Sequence, residues 1–337
     1  MTQPQGVPIS VLDLSILREG ASSADALTQT TSLAQCADAC GYRRFWVAEH
    51  HNMPSVACTA PPVLIGHLAA LTSRINVGSG GVMLPNHAPL VVAEQFAMLE
   101  ALHPGRIDVG IGRAPGTDQR TAAAVRRSEG ALGAEDFPTD LFELMDLLGD
   151  RRFDTTIGDH FKATPAASSY PKIFLLGSSG YSAHLAAKLG LPFGFAHHFD
   201  MGGTFEAAEI YRSRFVPSHI LSEPYMIVTA NVLAADTNEE ALWHAKSSRL
   251  TGYLRRTGRF LPLPSADDAA RALMLWVNSP SNRGQRSMTG LRPSTLLPIV
   301  SLMTSLQNSA TTNWRNCSSG ISITSKNVAL PGLRGST

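Results

Sequence analysis

Two rhythms of apolar residues alternate along the chain. Short runs rich in Val, Ile and Phe, ending in Gly, His or Arg, give way to longer stretches whose apolar positions recur every third or fourth residue. The short runs read as strands and the longer stretches as amphipathic helices. Strands are expected to begin near Val7, Phe45, Ile75, Arg106, Lys172, Pro192 and Tyr225. Ser23 is placed to cap the first helix, Leu27, Leu33, Ala34 and Ala37 line it, and Gly41 stops it. Pro61 and Pro62 open a second helix, and a third runs over 89–102 until His103-Pro104-Gly105 ends it. Helices over 117–129 and 137–148 form an excursion after the fourth strand, where α/β barrels build lids and pockets. The repeat then resumes with helices over 183–190, 205–215 and 238–250. This alternation predicts an α/β fold with a parallel sheet. Seven strands are found, and an eighth would close a (β/α)8, TIM-type barrel.

The end of the chain changes character. Residues 269–337 contain no Asp or Glu, where the chain average of 27 acids in 337 residues would place about five or six. We therefore divide the chain into a barrel domain over 1–285 and an atypical C-terminal tail over 286–337. A solvated extension and a replacement of the final strand and helix are both open readings of that tail.

Composition narrows the function classes. A net charge of +1 offers no electrostatic basis for binding nucleic acid or an anionic membrane. No apolar run has the length of a membrane span, and residues 1–8 lack a basic region followed by an apolar core. With four cysteines in 337 residues, the expectation is a chain of reduced thiols in the cytoplasm. Cys36 and Cys40, four apart on a helix, read as small buried apolar residues rather than a redox or metal pair.

The candidate chemistry collects at the strand ends. His50 and His51 are adjacent, as are His197 and His198. In a regular strand, neighbours point to opposite faces, so at most one of each pair can look into the barrel mouth. The His-x-His spacing of a barrel metal site is absent, and a site drawing one histidine from each pair, such as His50 with His197, is the metallohydrolase alternative. Gly78-Ser79-Gly80-Gly81 and Gly110-Ile111-Gly112-Arg113 do not complete a dinucleotide fingerprint, because Met83 and Pro115 occupy the third glycine's place. They are either tight turns or a main chain flat enough to support a ring. Arg113, just past a strand end, can grip a phosphate by two parallel hydrogen bonds. Gly177-Ser178-Ser179-Gly180-Tyr181-Ser182 lies between a strand and a helix, where backbone N–H groups and hydroxyls receive phosphate; a simple helix cap by Ser179 or Ser182 is the other reading.

Five segments in order resemble the bacterial luciferase-like flavin-dependent monooxygenases, over roughly residues 7–281. They are Trp46-x-x-Glu49-His50-His51-Asn52, the stretch 77–87, the stretch 102–116, Leu175-Leu176-Gly177-Ser178-Ser179 and Phe195-Ala196-His197-His198-Phe199. The resemblance implies a (β/α)8 barrel that binds reduced FMN at the C-terminal ends of its strands. It makes His50 the catalytic histidine, Gly80 and Gly81 a dipeptide under the isoalloxazine ring, and Arg113 the phosphate ligand. Ser179 and Ser182 would assist Arg113; Gly177 and Ser178 belong to the same loop, although Ser178 stands where the luciferase subunit has a glutamate.

The implied activity is C4a-hydroperoxide chemistry, in which reduced flavin and dioxygen oxidise a small organic substrate such as an aldehyde. The resemblance implies a separate flavin reductase and a homodimer built through helices beside the second and third strands. A deazaflavin in place of FMN is a variant of this reading. A flavin-binding barrel whose turnover is impaired by the unusual tail is the alternative.

Overall fold

The computed structural model describes residues 8–126, 136–153, 155–199 and 202–278. In chain order its elements are β1 (Val11–Asp13), α1 (Ser23–Ala39), β2 (Arg44–Val47), α2 (Pro61–Ala70), β3 (Asn76–Met83), α3 (Pro89–Leu102) and β4 (Ile107–Gly112). The excursion α4 (Gln119–Arg126), α5 (Phe137–Leu147) and α6 (Ile157–His160) follows. Then come β5 (Lys172–Gly177), α7 (Gly180–Leu189), β6 (Phe193–Phe195), α8 (Thr204–Ser213), β7 (Met226–Val228), α9 (Asn238–Arg256) and α10 (Ala266–Asn278).

All seven expected strands are present and form one sheet whose spatial order is the chain order. Each neighbouring pair is parallel. A sheet that advances one strand at a time in the same direction curls into a barrel wall, with every C-terminal strand end on one rim. Among the described residues there is no eighth strand. Instead, the segment between α9 and α10 returns to the loop after β1: Leu263 N–H donates to Leu17 O at 2.8 Å, and Glu19 N–H donates to Leu263 O at 2.9 Å. The tail over 286–337 lies outside the described residues.

Local chemistry explains the helix ends. Ser22, not Ser23, caps α1; its hydroxyl accepts from Asp25 N–H, and Asp25 reaches back to Ser22 N–H at 2.8 Å. This reciprocal capping box needs an acid three residues after the cap, a spacing that only Ser22 has. Gly41, at φ +76°, takes the left-handed turn after α1. Cys36 is half-buried and Cys40 exposed, contrary to the buried reading, because α1 buries the face carrying Ala26, Thr30, Ala34 and Ala37.

Every residue of β4 is buried. Arg44 Nε lies 3.1 Å from Asp108 Oδ2, which also accepts from Trp46 Nε1 at 3.0 Å. The Arg44 guanidinium lies 5.0 Å from the Phe174 ring centroid. Burial raises the Asp108 carboxyl, and Arg44 and Trp46 offset part of that rise. Arg44 and Asp108 stand near the starts of their strands, so this pair plugs the barrel on the side away from the rim.

Candidate active site

On the rim, the loops after β2, β3 and β4 are tied together by Glu49. Its N–H donates to Gly81 O at 3.1 Å. Its carboxylate, 1% exposed, accepts from Met83 N–H at 2.9 Å, Asn86 Nδ2 at 3.0 Å, His51 Nε2 at 2.8 Å and His87 Nε2 at 2.9 Å. Asn86 Nδ2 also donates to Pro115 O, and the Thr117 hydroxyl to His51 O. Burial alone would raise the Glu49 carboxyl; hydrogen bonds and charge from His87, with help from Asn86 and Met83, hold it below its ordinary value instead.

The histidine pairs do not lie within strands. β2 ends at Val47 and β6 at Phe195, so each pair falls in the loop beyond, where strand alternation no longer governs direction. His51 turns to Glu49, and His197 Nδ1 pairs with the Thr204 hydroxyl at 2.9 Å. His50 and His198 are the members that interact electrostatically with each other. Burial lowers the pKa of His50, a backbone hydrogen bond at Ala48 opposes this, and the charge of Arg255 lowers it further. Burial likewise pulls His198 down to about 4. Desolvation thus favours the neutral form of both imidazoles.

The metallohydrolase alternative drew on His50 and His197, and neither belongs to a group of three or more ligands close enough to hold an ion among the described residues. Among the described residues, the group spaced closely enough to hold an ion is Glu49, His51 and His87. Their ligand atoms are already joined to one another by hydrogen bonds.

The peptide between Gly80 and Gly81 is cis, and β3 shifts register against β4 between Gly80 and Val82. A Cβ on Gly80 would lie 2.6 Å from Leu12 Cδ1, and one on Gly81 would lie 2.8 Å from Gly110 O. Close approach of neighbouring strands thus already requires glycine at both positions.

Arg113 leaves the end of β4 and lays its guanidinium over Tyr181, 4.3 Å from the ring centroid. Tyr181 belongs to the first turn of α7, so this contact joins the Arg113 loop to the serine loop. Arg113 makes no ion pair among the described residues. Ser179 occupies the N-cap position of α7 without making a side-chain cap bond, and Ser182 is buried in the first turn. A Cβ on Gly177 would run into Ser182, so the loop closes tightly only with glycine there. Ser178, half-buried, completes the turn. An unpaired cation, uncommitted hydroxyls and a helix N-terminus have the chemistry to hold a phosphate.

Sequence reasoning assigned no role to Glu49, Asn86, His87 or Arg255. The first three stand within the quoted motifs, where a signal existed; nothing in the local pattern marks Arg255.

A curled sheet of seven parallel strands alternating with helices, with its polar loops on one rim, defines an α/β architecture of the TIM-barrel kind. The chain belongs to the luciferase-like monooxygenase family, whose model matches residues 9–283. A luciferase-like monooxygenase of Escherichia coli (strain K12) is 49% identical over 235 residues, 70% of this chain and 69% of that protein. The N-acetyl-S-alkylcysteine monooxygenase of Bacillus subtilis (strain 168) is 41% identical over 265 residues, 78% of each chain. The crystal structure of apo-MsnO8 superposes with a TM-score of 0.74 at 39% identity, covering 80% of this chain and 79% of that one.

Proposed function

We propose that this protein is an FMN-dependent monooxygenase that uses reduced flavin and dioxygen to oxidise a small organic substrate. The observation that carries the reading is Arg113 resting on Tyr181 beside the free hydroxyls of Ser179 and Ser182. In this reading Arg113, Ser179, Ser182 and the 177–178 turn hold the phosphate, while the main chain at Gly80 and Gly81 supports the ring. Glu49 keeps that main chain in place through Gly81 O and Met83 N–H. When bound, reduced flavin supplies the electrons that activate dioxygen for transfer of one oxygen atom. His50, half-buried on the rim, is the group that accepts or returns a proton at the reacting centre.

The reduced cofactor is delivered by a separate reductase. A homodimer through α2 and α3 is part of the proposal, supported by the exposed apolar residues Val63, Leu71, Val91, Met98 and Leu102 on and beside those helices. A deazaflavin shares the phosphate and tricyclic ring and is the second reading of the cofactor. No described helix is long and apolar enough to cross a membrane.

The test measures FMN and deazaflavin binding by fluorescence titration, then oxygen consumption with reduced FMN and a panel of aldehydes and thioethers. His50→Ala should keep FMN affinity and lose substrate-dependent oxygen use; unchanged turnover would remove His50 from the mechanism. Binding without substrate-dependent turnover in the wild type would favour the impaired flavin-binding barrel.

A further inference from the structure

Glu49 and His51 leave the end of β2, His87 follows β3, and the two imidazoles converge on one oxygen of the acid. His51 Nε2 lies 2.8 Å from Glu49 Oε1, and His87 Nε2 lies 2.9 Å from the same atom. All three ligand atoms fall within 4.8 Å of one another. The Glu49 side chain is 1% exposed, whereas those of His51 and His87 are 21% and 28% exposed. The acid is thus sealed in the protein while both imidazoles border solvent, which leaves a way in for an ion.

Two features suit this group to a metal. The first is the donor set, since two imidazole nitrogens and a carboxylate oxygen are the ligands of a zinc site that keeps its fourth position for water. Around a tetrahedral zinc with bonds of about 2.0–2.1 Å, ligand atoms stand about 3.3 Å apart, so the two N···O separations need to open by only about half an ångström. The second is that Glu49 is held without the histidines. Met83 N–H donates to its Oε2 at 2.9 Å, and Asn86 Nδ2 donates to its Oε1 at 3.0 Å while also reaching Pro115 O at 2.9 Å. Outer hydrogen bonds of this kind orient ligating carboxylates. The acid therefore keeps its place when the imidazoles turn from it to an ion.

We propose that Glu49, His51 and His87 bind one zinc ion, with water in the fourth position. Coordination through Nε2 places the proton of each imidazole on Nδ1, and the two hydrogen bonds to Glu49 give way to two N–Zn bonds and one O–Zn bond. The ion cross-links the loops after β2 and β3 and so fixes the rim beside Gly81 and Met83. This site goes beyond the flavin reading and does not depend on it.

The test is calorimetric titration of the chelator-stripped, full-length protein with Zn²⁺, and then with Co²⁺, whose visible absorption reports coordination geometry. Wild type should bind one Zn²⁺ per chain with micromolar affinity or tighter. His51→Gln and His87→Gln keep a donor for Glu49, and each should lower zinc affinity at least about a hundredfold, the upper end of what losing an outer partner costs. His197→Gln, outside the group, should leave it unchanged. The Co²⁺ form should show the intense visible bands of a four-coordinate ion. No zinc binding by wild type overturns the proposal, as does binding that survives either of the first two variants unchanged or is lost in His197→Gln. Where one of those variants fails to fold, the wild-type Co²⁺ spectrum decides, and the weak bands of a six-coordinate ion overturn the proposal. An FMN titration of the same wild-type sample keeps the two readings apart: zinc bound without FMN leaves this site standing and refutes the flavin reading, and FMN bound without zinc does the reverse.

Discussion

Glu49 holds Gly81 from one side and the loop beyond it from the other: its own N–H reaches Gly81 O at 3.1 Å while its carboxylate takes Met83 N–H at 2.9 Å. The cis dipeptide of β3 is thereby bracketed by a single buried acid. His51, His87 and Asn86 complete the grip and draw in the loop after β4. The rim is built around this acid before any ligand arrives.

Glu49→Gln keeps the shape but removes the charge from four hydrogen bonds. We expect a loss of about 1–3 kcal/mol in urea unfolding near pH 7, the scale of charged hydrogen bonds in a buried setting. The folded carboxyl lies below its ordinary value of 4.5. Its contribution is therefore complete above that pH and is lost as the pH falls beneath it. The variant should differ from wild type by less at pH 3.5 than at pH 7; a pH-independent difference would contradict the linkage.

Arg113→Ala should weaken FMN by roughly 1.5–3 kcal/mol, the worth of a charge-assisted phosphate contact. Tyr181→Ala should cost less, about 0.5–1 kcal/mol, because the ring only steadies the guanidinium. Fluorescence titration ranks the two variants, and a larger effect at Tyr181 would reverse the assignment.

The glycines divide into constrained and free. A Cβ at position 81 would press on Gly110 O, at 2.8 Å, and Leu176 Cδ1, at 2.9 Å, whereas one at position 252 on α9 meets nothing within 4 Å. Gly81→Ala should destabilise by about 1–3 kcal/mol through overpacking. Gly252→Ala should stabilise by up to about 1 kcal/mol through helix propensity. Melting temperatures of opposite shift would bear this out.

His198, with its pKa drawn down to about 4, binds its proton more weakly folded than unfolded, where about 6.5 is expected. Its contribution to stability is whole above pH 6.5 and is lost as the pH falls toward 4. Asp13 and Asp108, raised by burial, act in the opposite sense, losing stability as the pH rises through their folded values. The measurement is therefore a difference: between pH 7.5 and 5 the wild-type melting temperature should fall further than that of His198→Gln. Equal falls would mean that the imidazole is not desolvated.

The order of strands and helices was legible because each is a local property. Apolar runs ending in glycine, prolines at the starts of α2 and α3, and the Gly41 stop act within a few residues of one another. Less legible were the ends of strands, which depend on how far the neighbouring strand continues. This is why His197 and His198 were expected within a strand but lie in a short 3-10 turn after it.

By itself, the sequence determined the alternation of strand and helix, the parallel sheet, the family, and the residue types gathered at the strand ends, since periodicity and motif order are written along the chain. Only the tertiary structure decided the partners. Glu49 meets His87 across 38 positions, and Trp46 meets Asp108 across 62. His50 comes under the charge of Arg255, from the far end of the barrel domain. Hydrogen bonds and desolvation act through space, over a few ångströms, and folding alone sets which distant residues come that close.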